Sequence, residues 1–125
     1  MHKILVVEDS HTSMMLTVFV LEKAGYKVIQ ASDAIEGIRL AHELLPELIL
    51  MDIQLPGMDG MEATRQLKSD PATSHIPIIA LTASAMSGDE QCIRESGCDG
   101  YLSKPLSYKT LLAAVNASGA IKKNS

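Results

Sequence analysis

Five short apolar runs, each separated from the next by enough residues for one helix, constrain the fold of this chain more than any other feature. The runs begin near Ile4, Tyr26, Leu48, Ile76 and Gly100. They are nearly continuous in apolar residues, which is typical of parallel strands that are buried on both faces. Parallel neighbours also need long crossover connections, and the gaps between the runs provide them. The pattern predicts five βα units folded as a doubly wound α/β sheet, for which 2-1-3-4-5 is a common strand order.

Helix boundaries are marked by a few residues in the gaps. Gly25 and Gly97 stand where helices should end, because glycine accepts the left-handed backbone that follows many helices. Ser32-Asp33 followed by Glu36 resembles a capping box, which predicts the start of the second helix. These signals agree with one helix in each gap.

Composition limits the classes of function that are open to the chain. Its 125 residues, 46% of them hydrophobic, are enough for one domain with an ordinary core. We expect that domain to span residues 1–120, followed by a polar tail at residues 121–125.

The formal net charge of −4 argues against direct binding of nucleic acid. No apolar run approaches the ~18 residues of a membrane span, so we expect a cytoplasmic protein without membrane insertion.

Polar residues close four of the five apolar runs. The first run is followed by Glu8 and Asp9, the third ends in Asp52, the fourth in Thr82, and the fifth is followed by Lys104. Parallel strands present their carboxyl ends at one edge of the sheet, so we expect these five side chains to converge there. Three carboxylates, a hydroxyl and an ammonium suit a divalent cation and a phosphoryl group. For Asp9 taken alone, a helix N-cap is an equally good interpretation.

Taken in this order, the polar residues resemble the signature of the receiver domains of bacterial two-component response regulators. The resemblance covers the whole chain, and it implies a flavodoxin-like (βα)5 fold of the CheY type. The matching segments are Glu8-Asp9, Asp52 with Pro56-Gly57-Met58-Asp59-Gly60 behind it, Thr82-Ala83 and Lys104-Pro105. The stretch from Gly88 to Pro105 is most similar to stand-alone receivers of the cell-division-control type and to receiver modules of hybrid histidine kinases.

Phosphoryl transfer to Asp52 would need an ionised carboxylate and neutralisation of charge on the phosphoryl oxygens. Mg²⁺, with Mn²⁺ as a substitute, supplies that charge and prefers oxygen ligands. We expect Asp9 and Asp52 to be direct ligands, with the backbone carbonyl of Gln54 as a third. Glu8 has a longer reach than the aspartate that is frequent at this position in receivers, so we expect it to act through a water molecule.

Lys104 and Thr82 are expected to contact phosphoryl oxygens, and Lys104 should pair with Asp52 before phosphorylation. The Lys104–Pro105 bond is predicted to be trans from the sequence alone, whereas the resemblance implies cis. The sequence alone favours Tyr101 as an interfacial aromatic residue. The resemblance instead implies that Tyr101, together with Thr82 and Pro105, takes part in a switch.

Two predicted helices differ in how their apolar residues are distributed. The fourth, at residues 87–96, has a thin apolar stripe, as expected of an element that docks weakly. In the first helix, apolar residues from Met14 to Leu21 cover nearly the whole circumference. They are either buried by a neighbouring helix or form an exposed patch for a helical partner. Receivers typically meet histidine kinases or phosphotransfer proteins on this surface, so the resemblance implies that both interpretations hold in part.

We therefore predict a phosphorylation switch, not an enzyme with a separate substrate. It takes a phosphoryl group from a histidine kinase or a phosphotransfer protein on Asp52 and changes its affinity for another protein or for a second copy of itself. The output surface is the fourth predicted helix, the fifth strand and the fifth predicted helix. Alternatives are a phosphate relay or sink, a receiver that binds without phosphate, and a haloacid-dehalogenase-like phosphatase. The last is disfavoured by the short chain and by Gln54, which breaks that family's Asp-x-Asp pattern.

Overall fold

The computed structural model describes residues 3–53, 55, 57–58, 60–82, 97–103 and 108–117. The strands are β1 (Lys3–Val7), β2 (Lys27–Ala31), β3 (Leu48–Asp52), β4 (Ile78–Thr82) and β5 (Gly100–Ser103). The helices are α1 (His11–Lys23), α2 (Ala34–Leu44), α3 (Gly60–Ser69) and α4 (Tyr108–Ala117). Helix α4 is the fifth of the predicted helices. The fourth predicted helix, at residues 87–96, lies outside the described residues.

All neighbouring strands are parallel, and their order is β2-β1-β3-β4-β5. This confirms the predicted doubly wound α/β sheet and its strand order. The order reverses between β1 and β3, where Val7 pairs with Met51. A carboxylate follows each of these two residues in the sequence, so the register alone brings Glu8 and Asp52 to the same level of the sheet.

Two strands begin slightly later than predicted, because residues just before them are engaged in turns. The backbone N–H of Tyr26 donates to Leu21 O (3.1 Å) at the end of α1, so β2 starts at Lys27. The backbone N–H of Ile76 donates to Thr73 O (3.0 Å), and β4 starts at Ile78.

The hydrophobic core lies in two layers, one on each face of the sheet. Alternate residues of the central strands point to opposite layers, so that β1 contributes Ile4 and Val6 to one and Leu5 and Val7 to the other. Helices α1 and α4 cover the first layer, and α2 and α3 cover the second. Burial of both faces explains why the strands read as continuous apolar runs.

The predicted boundary signals of α1 and α2 are confirmed. Gly25 has φ +98° and its N–H donates to Glu22 O at 3.0 Å, which closes α1 together with the Tyr26 bond. At the start of α2, Asp33 Oδ1 accepts the N–H of Glu36 at 2.8 Å. The Glu36 carboxylate in turn accepts the N–H of Ser32 at 3.1 Å, one residue before the cap.

Helix α1 buries one side of its apolar circumference and exposes the other. Met14, Thr17, Val20 and Leu21 are buried against the sheet. Met15, Leu16 and Phe19 are more than half exposed on the opposite side. In the part of the chain that the structure describes, neither this helix nor another is long and apolar enough to cross a membrane.

Candidate functional site

Three carboxylates converge at the carboxyl edge of the sheet, where the strand order reverses. One oxygen from each of Glu8, Asp9 and Asp52 lies within 4.8 Å of the other two. Glu8 and Asp52 are each only 3% exposed, whereas Asp9 is exposed. We refer to these three residues as the acid group. Like charges at this separation repel one another, so the arrangement favours a cation among them.

Backbone hydrogen bonds hold the strand ends that carry the acid group. The N–H of Glu8 donates to Ala31 O at 3.0 Å, which extends the β1–β2 pairing by one residue. Asp52 pairs with Leu81 of β4, and the next N–H, of Ile53, donates to Leu81 O at 3.0 Å. The main chain on both sides of the switch point is therefore tied to a neighbouring strand.

The carboxylate of Glu8 also holds the start of α1. Its Oε2 accepts the backbone N–H of Ser10 at 3.1 Å. Ser10 is the N-cap of α1, and its Oγ faces the N–H of Ser13 at 3.4 Å. The interpretation of Asp9 as the helix cap is therefore wrong, because the next residue performs that role. Asp9 lies between Glu8, whose N–H is bonded to β2, and Ser10, which caps α1. Its side chain is exposed at the edge of the sheet.

Gly60 lies closer to Asp52 than the sequence indicated. A β-carbon at this position would be 2.2 Å from Asp52 O and 2.7 Å from Ile53 Cα. The N–H of Gly60 donates to Ile53 O at 3.2 Å. The first residue of α3 therefore packs directly against the backbone of Asp52 and Ile53. The only sequence signal for this contact was the glycine itself, within the segment that matches receivers.

Thr82 and Tyr101 are the described members of the predicted switch. Thr82 ends β4 one residue beyond the partner of Asp52, and it is 2% exposed. Tyr101 lies on β5 opposite Ala80 and is half-buried. Gln54, Lys104 and Pro105 lie outside the described residues, so the third metal ligand, the phosphoryl contact of the lysine and the peptide isomer stay predictions.

A cleft of about 280 Å³ opens beside the acid group, between the β1–α1 and β2–α2 connections. Its lining consists of Glu8, Asp9, His11, Met14, Gln30, Ala31, Ser32 and Glu36. The cleft gives the buried carboxylate of Glu8 a route to solvent. A cavity of this size can hold several water molecules beside Glu8 and Asp9.

The donor set of the acid group fits a hard divalent cation. Octahedral Mg²⁺ at about 2.1 Å from its ligands separates adjacent ligand oxygens by about 3.0 Å and opposite ones by about 4.2 Å. The three carboxylates lie within 4.8 Å of one another, so two can bind directly and the third can act through water after small adjustments. Oxygen ligands alone also suit Mn²⁺.

Comparison with known proteins agrees with this geometry. The model of the family described as response regulator receiver domain matches residues 4–116. A curated relative, the polar-differentiation response regulator DivK of Brucella anthropi, is 44% identical over 114 residues, which cover 91% of this chain and 93% of that protein.

Solved structures give the same result. The chemotaxis protein CheY4 of Vibrio cholerae has a TM-score of 0.90 and 29% identity, over 94% of this chain and 98% of that one. The receiver domain of a sensor histidine kinase of Pseudomonas aeruginosa has a TM-score of 0.88 and 34% identity, over 94% and 96% of the two chains. That structure holds a magnesium ion in its active-site cleft. This chain therefore belongs to the response regulator receiver domain family, whose members act in two-component signalling.

Proposed function

We propose that this receiver accepts a phosphoryl group on Asp52 in a reaction that requires Mg²⁺, and that phosphorylation changes its affinity for another protein. The observation that carries the proposal is the convergence of Asp52 with Glu8 and Asp9 at the switch point of the sheet. Asp52 is the member of the acid group that belongs to a strand, and its partners flank it from the neighbouring connection.

In the transfer step, an oxygen of Asp52 attacks the phosphorus of a phosphohistidine. The new O–P bond forms as the P–N bond breaks, and the leaving imidazole keeps the electron pair and then takes a proton from solvent. The carboxylate must be ionised and in line with the donor. Its fixed position at the end of β3, with the backbone of Ile53 tied to Leu81, supports this orientation.

The divalent cation would neutralise charge on the phosphoryl oxygens. We assign Asp9 and Asp52 as its carboxylate ligands and the backbone carbonyl of Gln54 as the third protein ligand. Glu8 would act through a water molecule, because its Oε2 already holds the N–H of Ser10. A solved relative supports the metal, since the receiver domain of the Pseudomonas aeruginosa kinase holds a magnesium ion in its active-site cleft.

Thr82 and Lys104 are proposed to bind the phosphoryl oxygens once Asp52 is modified. The buried position of Thr82 at the same sheet edge supports its proposed role as a ligand of a phosphoryl oxygen. Tyr101 would then report the change along β5, with the Lys104–Pro105 bond directing the lysine. The phosphoryl group adds about −1.5 to −2 charges, which can bias a two-state surface.

The proposed donors are a histidine kinase or a histidine phosphotransfer protein. Helix α1 begins at His11, beside the acid group, and exposes Met15 and Leu16. This exposed apolar surface supports docking of such a donor.

The proposed output surface is made by residues 87–96, β5 and α4. We also propose a receiver domain of residues 1–120 with a polar tail at 121–125, and a cytoplasmic location.

Phosphorylation by phosphoramidate, a small donor that needs no docking surface, tests the proposal. The wild-type chain should gain the mass of one phosphoryl group only when Mg²⁺ is present. Asp52→Asn should gain none, and Asp9→Ala should need much more Mg²⁺. A matched control is Asp70→Asn, which removes an exposed carboxylate outside the acid group and should behave as wild type. Equal incorporation in Asp52→Asn would overturn the assignment.

A second experiment separates a switch from a phosphate relay or sink. Amide chemical shifts are recorded with and without beryllofluoride plus Mg²⁺, a stable mimic of the phosphoryl group. A switch should show changes that extend from Asp52 to Tyr101 and to residues 87–96. Changes confined to the residues around Asp52 would favour a relay or sink.

A further inference from the structure

Helix α3 links two distant parts of the sheet. At its first residue, the N–H of Gly60 donates to Ile53 O at 3.2 Å, and a β-carbon on Gly60 would overlap Asp52 O. In its last turn, Lys68 pairs with Asp99 at 2.8 Å, and Asp99 directly precedes β5. Eight residues, or about 12 Å of helix, separate Gly60 from Lys68. The helix therefore joins the backbone of the proposed phosphoryl acceptor to the start of β5.

Buried hydroxyl groups stiffen α3 over this length. Thr64 Oγ1 donates to Gly60 O at 2.7 Å in the first turn, and Thr73 Oγ1 donates to Leu67 O at 2.7 Å near the other end. Both threonines are buried, and Leu67 packs in the core layer beneath the helix. Protein interiors are close-packed and transmit strain. A displacement of Gly60 should therefore move α3 as one body.

The contacts of Lys68 and Asp99 fix the point at which β5 begins. The N–H of Asp99 donates to Ile78 O, and its Oδ2 accepts the N–H of Ile78, each at 2.8 Å. Lys68 Nζ also donates to Ile76 O at 2.7 Å. The stem of Lys68 packs beside Gly97, where a β-carbon would lie 3.4 Å from Lys68 Cγ. The side chain of Lys68 is only 18% exposed, so solvent screens its charge less than that of a lysine on the open surface.

Strand β5 has less pairing to hold it than the other described strands. It has four residues, whereas each of the others has five. It also lies at the edge of the sheet, where it pairs only with β4. Its second residue is Tyr101. A shift at the start of β5 should therefore change the position of Tyr101.

We propose that α3 and the Lys68–Asp99 pair form a route by which phosphorylation of Asp52 repositions β5. The backbone of Asp52 has no free space toward Gly60, so a shift that accompanies modification moves α3. Lys68 then passes the movement to Asp99, as a packed element with a hydrogen-bonded end can do. Lys68 and Asp99 are positioning residues, because they lie at the opposite edge of the sheet from the phosphoryl group. The inference rests on the proposed function, and it adds a path to β5 that does not pass through Thr82.

Amide chemical shifts with and without beryllofluoride plus Mg²⁺ test this route. At saturating beryllofluoride, Lys68→Met and Asp99→Asn should each reduce the shift change of Tyr101 by half or more. Lys68→Arg keeps the charge and should retain most of that change. Arg65→Met is the matched control, because it removes an exposed pair with Glu62 on the same helix, and it should respond as the wild type does. Spectra are recorded well below the melting temperature of each variant.

Mg²⁺ affinity separates a lost route from a damaged site. Lys68→Met and Asp99→Asn should change this affinity less than twofold, because the acid group lies at the other edge of the sheet. The shift changes around Asp52 should also persist in both variants. If the variants weaken Mg²⁺ binding as much as they reduce the response of Tyr101, they act by disturbing the site, and the route is overturned.

The remaining comparisons distinguish failure of the route from failure of the proposed function. A Tyr101 response in Lys68→Met equal to that in Arg65→Met would overturn the route and leave the proposed function standing. A wild type whose signals change around Asp52 but not at Tyr101 would overturn both the route and the proposed switch. The double variant Lys68→Met/Asp99→Asn should lose no more of the response than the more affected single variant, because the two residues act as one unit. A larger loss would show that they act separately, which contradicts the route.

Discussion

Glu8 accepts a hydrogen bond from the backbone N–H of Ser10 at 3.1 Å, so one carboxylate faces the other acids and also fixes the start of α1. A glutamate reaches both places because of its extra methylene group. The charge of Glu8 and its role as an acceptor can be separated by substitution.

Glu8→Gln keeps an acceptor for the N–H of Ser10 but removes the negative charge. We expect Mg²⁺ affinity to fall about tenfold, as is usual when a residue that acts on a metal through water is changed. The melting temperature without metal should change little. Calorimetric titration with Mg²⁺ measures the affinity. If Glu8→Gln binds Mg²⁺ as tightly as the wild type, Glu8 has no part in the metal site.

Gly60→Ala should destabilise the fold, because its β-carbon would lie 2.2 Å from Asp52 O. The atoms it meets belong to the backbone and cannot rotate away, so we expect a loss of about 3 kcal/mol in the free energy of unfolding. Gly25→Ala is the control, since it has open space and only an unfavourable φ of +98°, worth about 1 kcal/mol. Urea unfolding compares the two variants. Equal losses would contradict the close approach at Gly60.

Lys68 joins three parts of the chain at the amino-terminal edge of the sheet. Its Nζ donates to Ile76 O at 2.7 Å and Ser74 O at 3.2 Å, and it pairs with Asp99 at 2.8 Å. The Lys68 side chain is only 18% exposed, so Lys68→Met should cost about 2 kcal/mol, chiefly because the part-buried Ile76 O loses this donor.

The matched control for Lys68 is Arg65→Met, which removes an exposed ion pair with Glu62 on the same helix. We expect it to cost less than about 0.5 kcal/mol. Unfolding in urea measures both variants. A loss in Lys68→Met no larger than that in Arg65→Met would show that the Lys68 contacts contribute little.

The hydrogen bond between His42 and Asp70 should make the stability of the fold depend on pH. The hydrogen bond from His42 Nε2 to Asp70 (2.6 Å) raises the pKa of His42, and a second hydrogen bond, from Nδ1 to Ile38 O (2.9 Å), raises it further. The same hydrogen bond to His42 lowers the pKa of Asp70. A raised histidine pKa gives stability that is full below the unfolded value of about 6.5 and is lost as pH rises through the folded pKa.

The stability of the wild type relative to Asp70→Asn should therefore shrink as pH rises above about 6.5. Proton NMR titration of the His42 ring should give a pKa above that of the Asp70→Asn variant. Arg39→Gln removes another exposed pair, with Glu43, and should leave this pH dependence unchanged. If wild type and Asp70→Asn have parallel pH profiles in this range, the contact does not form in solution.

The sheet and the convergence of the acids could be predicted because both follow from apolar runs and from the residues that close them. Val7 and Met51 are paired across the switch point, and a carboxylate follows each in the sequence. The contacts that fix these side chains could not be predicted. His42 and Asp70 are 28 positions apart, and no periodicity relates them. The hydrogen bond from Ser10 to Glu8 likewise depends on the backbone path between them.

Chemical mapping of the modified residue tests the central claim most directly. The chain is treated with phosphoramidate and Mg²⁺ and then with sodium borohydride, which reduces an acyl phosphate to an alcohol. Peptide mass spectrometry should find homoserine in place of aspartate at position 52 and unmodified Asp9 and Glu8. Reduction at Asp9 or Glu8, or an unmodified Asp52 in a chain that has gained a phosphoryl group, would contradict the assignment of Asp52 as the phosphoryl acceptor.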